Sequence, residues 1–437
     1  MSTPLTARIA AEHARTLGAL PPQLAGGARR RAAMEALATA GLPGARDENW
    51  KYANLRPLER QSFTPAPLNS RPPAAAAPAV LPEQLPGFAR YVFIDGNFAP
   101  ALSDALGASP ARILPLAVFE SEGGADVRGH ASRDERFALL NAAFATDGAS
   151  ITVPATTADI PCIELLFIAS AAAETGASYP RVELRLEPGA RLTLIERHLS
   201  AADGASFVAS AIGVEVAAGA ALEHYRLQEL GSRAILFDSL SATLAADARY
   251  QLRAIGSGAH AARSTLRVRL AGERAELALA AASLGDRQQV QDTYAIVEHL
   301  APNARTEETF RGIAAGRARV AFNGKMVVAR EARGSDSRQS LRGLLAGPEA
   351  EIDVRPQLEI YTDEVSASHG ATAGKLDDHM LFYLLSRGLE RDAALRALKW
   401  AFLGDVLARI EPPQLRRQIE TRLAGQMQDG AALRELL

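Results

Sequence analysis

Cysteine is almost missing: Cys162 is the only one in 437 residues. That excludes an intrachain disulfide and any metal site made wholly of cysteines from one chain. Aromatic residues reach only 5%, little for a surface that stacks sugars. No uninterrupted apolar run approaches the roughly 18 residues needed to cross a bilayer. Charge of one sign is not in excess either. The formal net charge is −2, which gives no bulk attraction to nucleic acid or to an anionic membrane. The N-terminal stretch MSTPLTARIAAEHARTLGAL mixes Arg8, Glu12, His13 and Arg15 into its apolar residues. It lacks the apolar block of a signal peptide and reads as an amphipathic helix. The expectation is a cytoplasmic protein of two or three structural units, long enough for a sizeable core.

Five regions emerge. Residues 1–63 read as helical, with breaks at LPPQLAGG and GLPGARDENW. Residues 64–86 hold seven of the 24 prolines; proline fixes φ and removes a donor, so this is a linker or extended edge. Residues 87–150 form a mixed α/β connector, with a strand at RYVFIDGNF and a helix at RDERFALLNAAF. From 151 to 366 short alternating strands dominate. Residues 367–437 read as helices. Asp377 marks a start and Gly388 a stop, and Ala394, Leu398, Phe402 and Val406 form an apolar stripe.

The β region repeats itself. VELRLEPGA, IGVEVAAGA, LSATLAADA and LRVRLAGERA share a template of alternating strand, short turn and small residue. Their strands close at Leu186, Val216, Leu244 and Leu270, in steps of 30, 28 and 26, and a fifth closes at Leu300 after 30 more. A period of this size holding only strands and turns predicts stacked parallel β coils. Long helices between strands are lacking, which argues against a doubly wound α/β sheet. Asn323-Gly324 reads as a turn.

HGATAGKL, just after the last predicted strand LEIYTDEV, reads as a loop opening into a helix. It misses the phosphate-binding pattern, because three residues, not four, separate Gly370 from Gly374, and Leu376 follows Lys375. His369 in this loop is the candidate metal ligand; the plainer role is to bond within a turn. Glu359, Asp363 and Glu364 precede it, but a strand sends alternate acids to opposite faces, so a full site needs ligands from another subunit. Cys162 reads as core filling in an apolar strand, and Trp50 as a buried anchor between helices and sheet. His198, His224 and His299 show no mutual spacing that makes a site.

Two stretches carry a resemblance. RDENWKYANLRPL is similar to a motif of the SufB/SufD family of iron–sulfur cluster assembly scaffold proteins. The run from FNGKMVV and Gln339 through Pro356, His369-Gly370-Ala371-Thr372 and FYLLSRG resembles that family's signature block. The Trp-Lys-Tyr stretch and Asp363 favour the SufD branch. The resemblance implies a right-handed parallel β-helix flanked by N-terminal and C-terminal helical regions. It implies a non-catalytic subunit that pairs with SufB through the β-helix and docks the SufC ATPase on its C-terminal helices, with a homodimer as the alternative for the isolated chain. No cofactor is expected to bind stably; a transient iron–sulfur cluster or iron is expected at the SufB–SufD interface, with His369 as this chain's ligand. The second ring nitrogen would then be held by a carbonyl or an acid such as Glu364. Many relatives carry a cysteine at the position of Ala367, so this chain offers no thiolate there. The rival readings are a β-helix carbohydrate-active enzyme and a homo-oligomeric structural protein.

Overall fold

The computed structural model describes residues 4–20, 26–44, 47–65, 81–116, 118, 135–155, 159–170 and 176–427. The repeat of alternating strands folds into a parallel β-solenoid of about seven turns. Odd and even coil strands build two sheets, of eleven and ten strands. Residues pointing inward fill one continuous lumen, including Leu184, Val214, Leu222, Tyr250, Leu266 and Phe310. Side-chain period two makes this work: every second residue of each strand faces the lumen.

The repeat template has a clear physical basis at its turns. Gly189, Gly219, Asp247, Arg274 and Asn303 all adopt positive φ, between +57° and +74°. Each precedes an alanine (Ala190, Ala220, Ala248, Ala275 or Ala304) with no exposed surface. The chain thus turns through a left-handed residue and seats a fully buried methyl group before the next strand begins.

Register confirms the first steps and corrects the last. Leu186 pairs with Val216, Val216 with Leu244, and Leu244 with Leu270. The next residue in this column is His299, not Leu300, so the fifth step is 29 residues. Leu300 stands outside, 40% exposed, because a slip of one residue sends a side chain to the other face. Val328 and Ile360 continue the column.

The two ends of the solenoid differ. At the N-terminal end, strand Ala89–Ile94 adds in parallel below Cys162–Ala169, within the stretch expected to be a connector, and Asn97–Phe98 folds back antiparallel on it. Arg112–Pro115 likewise pairs antiparallel with Gly148–Val153. The first coil is therefore covered. At the other end, Glu351–Ile360 and Val365–Lys375 are the last strands of their sheets.

Helices line the flanks. Pro4–Thr16, Gly26–Ala40 and Arg136–Phe144 share a hydrophobic cluster with one sheet. Trp50 is the anchor expected of it: its ring lies 5.4 Å from Phe137 and 6.3 Å from Phe237, and the Arg263 guanidinium sits 4.4 Å from it. Of the C-terminal helices Asp378–Ser386, Arg391–Leu407 and Pro413–Gln426, the second and third pack on the other sheet and the first packs on the second. Leu403, Val406, Leu415 and Ile419 meet Ile195, Tyr225 and Ile255 there. Packing consumes much of the expected stripe: Ala394 and Val406 are fully buried, and Phe402 packs partly buried against the same cluster as Val406.

Two further expectations change. Cys162 begins its strand half-buried rather than in the core, its Sγ 3.6 Å from the Ile160 carbonyl; what burial it has pushes the thiol up. Of the proline-rich segment, Thr64–Pro65 pairs with Gly176–Ala177 and Leu85 is buried against the C-terminal helices, while 66–80 lie outside the described residues.

His299 generates a test. Its Nε2 lies 2.8 Å from Thr306 Oγ1, and burial pushes its pKa down to about 4. The unfolded imidazole protonates near the ordinary value, so its contribution is intact above about pH 6.5 and is lost as pH falls towards 4. Denaturant unfolding at pH 7.5 and 4.5 should show wild type losing roughly 2–3 kcal/mol more than His299→Leu over that interval. Equal losses would remove His299 as the acid-sensitive group.

Candidate functional site

The loop expected around His369 does not form. Val365–Lys375 is an eleven-residue strand, paired along its whole length with Ser335–Leu345. Gly370 and Gly374 therefore lie in extended backbone, which rules out a phosphate-cradling turn. The solenoid runs past the expected boundary at 366, and helix starts only at Asp378, where Asp377 accepts a bond from the His379 amide at 2.8 Å. The period of two is hidden in the sequence because Ser, Ala, Gly and Thr give little hydrophobic contrast along SASHGATAGK.

Parallel register assigns the faces of this last strand. Leu279, in the lumen core, pairs with Glu308, Glu308 with Gln339, and Gln339 with His369. His369 thus stands on the lumen-facing side of the final coil, at an open mouth. Ala367 and Ala371 share its face, two residues either way. Ile352, Val354 and Leu358 supply the opposite wall, only partly buried although packed on the core.

The acids that precede His369 in the chain are dispersed. Glu359 pairs with Lys325 at 2.8 Å and Glu364 lies 3.6 Å from Arg333, while Asp363 is exposed in the bend before the strand. Among the described residues no group of three or more His, Cys, Asp or Glu is arranged to hold a metal ion. His369 is one donor, not a complete site.

Beneath it lies a polar pair that sequence reasoning missed. Glu308 is 1% exposed and Gln339 5%. Gln339 Nε2 donates to Glu308 Oε1 at 2.9 Å and to the Gly324 carbonyl at 3.1 Å. Among the described residues Glu308 Oε2 and Gln339 Oε1 have no partner. Burial, only partly offset by the Gln339 hydrogen bond, pushes the Glu308 carboxyl up to about 8, so it is protonated at neutral pH. The pair also explains Gly324. That residue is in mid-strand, within Arg319–Val328, and not in the turn expected of Asn323-Gly324. A Cβ there would collide with Glu308 Oε1 and sit 2.8 Å from Gln339 Nε2. The glycine marks a close approach of side chains, not a reversal of the chain.

Two of the histidines whose spacing suggests no site do meet, deep in the lumen. Glu196 lies 2.8 Å from His198 Nε2, 3.3 Å from His224 Nε2 and 2.9 Å from Arg226, which also reaches Asp238 at 2.9 Å. Burial works to raise the Glu196 pKa, but Arg226 and the two imidazoles hold it well below the usual carboxylate range. Burial lowers His224. The group satisfies its own charges, as a buried ion-pair network must. Glu196↔Arg226 register, 30 residues apart, was the available signal.

Comparison with known proteins follows the same lines. Residues 167–402 match the SufBD core domain of SUF-system FeS cluster assembly. The chain is 30% identical over 402 residues to the iron–sulfur cluster assembly protein SufD of Escherichia coli, covering 91% of this chain and 92% of that one. It is 29% identical over 395 residues to an iron–sulfur cluster assembly SufBD family protein of Synechocystis, covering 87% of each.

Glu308 yields a second test. Its folded pKa lies above the unfolded value near 4.5, so the folded state binds the proton more tightly. The resulting stability is fully present below about pH 4.5 and is lost as pH rises to about 8. Glu308→Gln keeps the acceptor for Gln339 without the ionisation. It should be roughly 3–4 kcal/mol more stable than wild type at pH 7.5, with the gap closing near pH 4.5, in paired denaturant titrations. A gap independent of pH would contradict a protonated Glu308.

Proposed function

This chain belongs to the SufB/SufD family of the SUF iron–sulfur cluster assembly system, and from that premise we propose that it is a non-catalytic scaffold subunit working in the cytoplasm. It pairs with a SufB-type subunit through the open end of its solenoid. It docks the SufC ATPase on its C-terminal helices and presents His369 to a nascent cluster.

The observation that carries this reading is the uncovered final coil. Among the described residues, strands Glu351–Ile360 and Val365–Lys375, ten and eleven residues long, have a sheet neighbour on one side only. Their free edges are templates for another strand, and such edges are normally blunted or covered. Here the edge is long and the mouth beside it holds Ile352, Val354 and Leu358. A partner of like architecture satisfies both needs by adding strands to the edges and sealing the lumen. His369 then lies inside the joint. The cluster is cargo at this joint. Imidazole suits iron as a ligand, Ala367 brings no sulfur, and Cys162 lies on a strand near the other end of the solenoid. The thiolates come from the partner.

For the ATPase subunit, the Arg391–Leu407 helix offers less than its sequence suggested, because its inner side is packed. The available apolar surface is on Asp378–Ser386, where Met380, Phe382 and Tyr383 are 53%, 72% and 53% exposed. Removing 377–437 would strip a packed layer from the sheet, so point changes are the cleaner probe.

Co-expression with SufB and SufC tests the reading. Wild type should co-purify as a complex of all three, and Phe382→Asp should lose SufC while keeping SufB. His369→Ala should assemble normally yet fail to accumulate cluster, followed by visible absorption after reconstitution with iron and sulfide. A His369→Ala complex with wild-type cluster content would leave His369 without chemistry, and self-association alone would favour a homo-oligomeric role.

A further inference from the structure

We propose that Gln339 is the positioning residue for His369: its side-chain oxygen accepts one imidazole N–H and leaves the other ring nitrogen bare at the mouth of the lumen. The inference deepens the reading of His369 as a cluster ligand and rests on it.

The orientation of the Gln339 amide is settled by its neighbours. The Gly324 carbonyl can only accept, so the nitrogen must face it, and the same nitrogen bonds Glu308 Oε1. That leaves Oε1 as the uncommitted atom, buried and without a partner among the described residues. Leaving a buried acceptor unmade is unfavourable, so it favours any donor that can come within reach. On the rung below, Glu308 takes the amide through Oε1, and its Oε2 makes no hydrogen bond to Gln339 Oε1. On the rung above, Gln339 pairs with His369, on strands about 4.8 Å apart. The lumen-side neighbours of His369, Ala367 and Ala371, have no side-chain donor. The imidazole itself is exposed, and an exposed side chain passes freely between staggered rotamers. The fixed acceptor below therefore selects the rotamer that swings the ring over the lumen.

Two consequences follow for the chemistry. A ring whose one N–H is held by an oxygen acceptor has a defined tautomer, so its other nitrogen carries the lone pair a metal needs. The amide is in turn held by Glu308 and Gly324, a support made of neutral groups. Glu364, the acceptor expected from sequence, is turned to Arg333 and does not compete.

The test uses the full chain with ring-¹⁵N-labelled histidine, the His369 signals being assigned by their loss in His369→Ala. At pH 8, two-bond ¹H–¹⁵N spectra should show one dominant tautomer in wild type. Gln339→Met, which keeps an unbranched chain of similar length but removes the oxygen, should revert to the tautomer mixture of a free imidazole. Glu308→Gln should retain the wild-type tautomer, because the amide of Gln339 stays anchored, and this variant also reports on folding. Identical His369 spectra in wild type and Gln339→Met would overturn the inference, even if His369→Ala abolishes cluster formation; that result would remove Gln339 and leave His369. A Gln339→Met chain that does not fold is replaced by Gln339→Leu, whose His369 spectra decide the question in the same way.

Discussion

Stacking of parallel strands is the constraint on which the rest depends. Each coil satisfies its backbone donors and acceptors only by lying on the coil before it, and a coil at the end has nothing to lie on. The chain meets this at its N-terminal end with two antiparallel segments, Asn97–Phe98 and Arg112–Pro115. At the other end it leaves Glu351–Ile360 and Val365–Lys375 uncovered and sends the following helices down the flank of the sheet instead. The asymmetry leaves two long strand edges and a partly buried apolar mouth at that end. His369 gains its setting from the same asymmetry, since it faces a lumen that continues to the last rung and then stops.

The lumen itself changes character along its length. In the middle it is largely apolar, with the charge-compensated Glu196, His224 and Arg226 network and the His299–Thr306 hydrogen bond set into it. Towards the mouth the inward column goes from Leu279 to Glu308, Gln339 and His369. A buried carboxyl without a cation stays protonated at neutral pH, so the polar groups under the mouth add hydrogen-bonding capacity without adding charge. The proposed ligand role of His369 requires a neutral imidazole, and such a floor suits it.

The match over residues 167–402 covers the solenoid from its early coils through most of the Arg391–Leu407 helix. It says which system the chain serves. The Glu308, Gln339 and His369 column and the close approach at Gly324 come from register and contact.

Much of the fold was legible in the residues themselves. Alternation of apolar and polar positions, and a left-handed turn residue followed by alanine, are local properties, so the steps from Leu186 to Leu270 located the coils correctly. Trp50 was legible for a similar reason, since a large aromatic ring between helical and strand segments has few places to go but a core. What the local pattern failed to resolve was face and register. Leu300 and His299 are adjacent, and only pairing with Leu270 and Val328 decides which of them enters the lumen. Gly324 looks like a turn in one dimension and proves to be a clearance for two side chains 16 residues before it and 15 after it. His369 reads as part of a loop because its neighbours are small, and the strand that holds it exists through pairing with Ser335–Leu345. The sequence by itself determined a solenoid, its period and the identity of its turn residues, because those depend on neighbours along the chain. Tertiary structure alone decided that Glu308, Gln339 and His369 form one column at an open end, because residues 30 apart become neighbours only when coils stack.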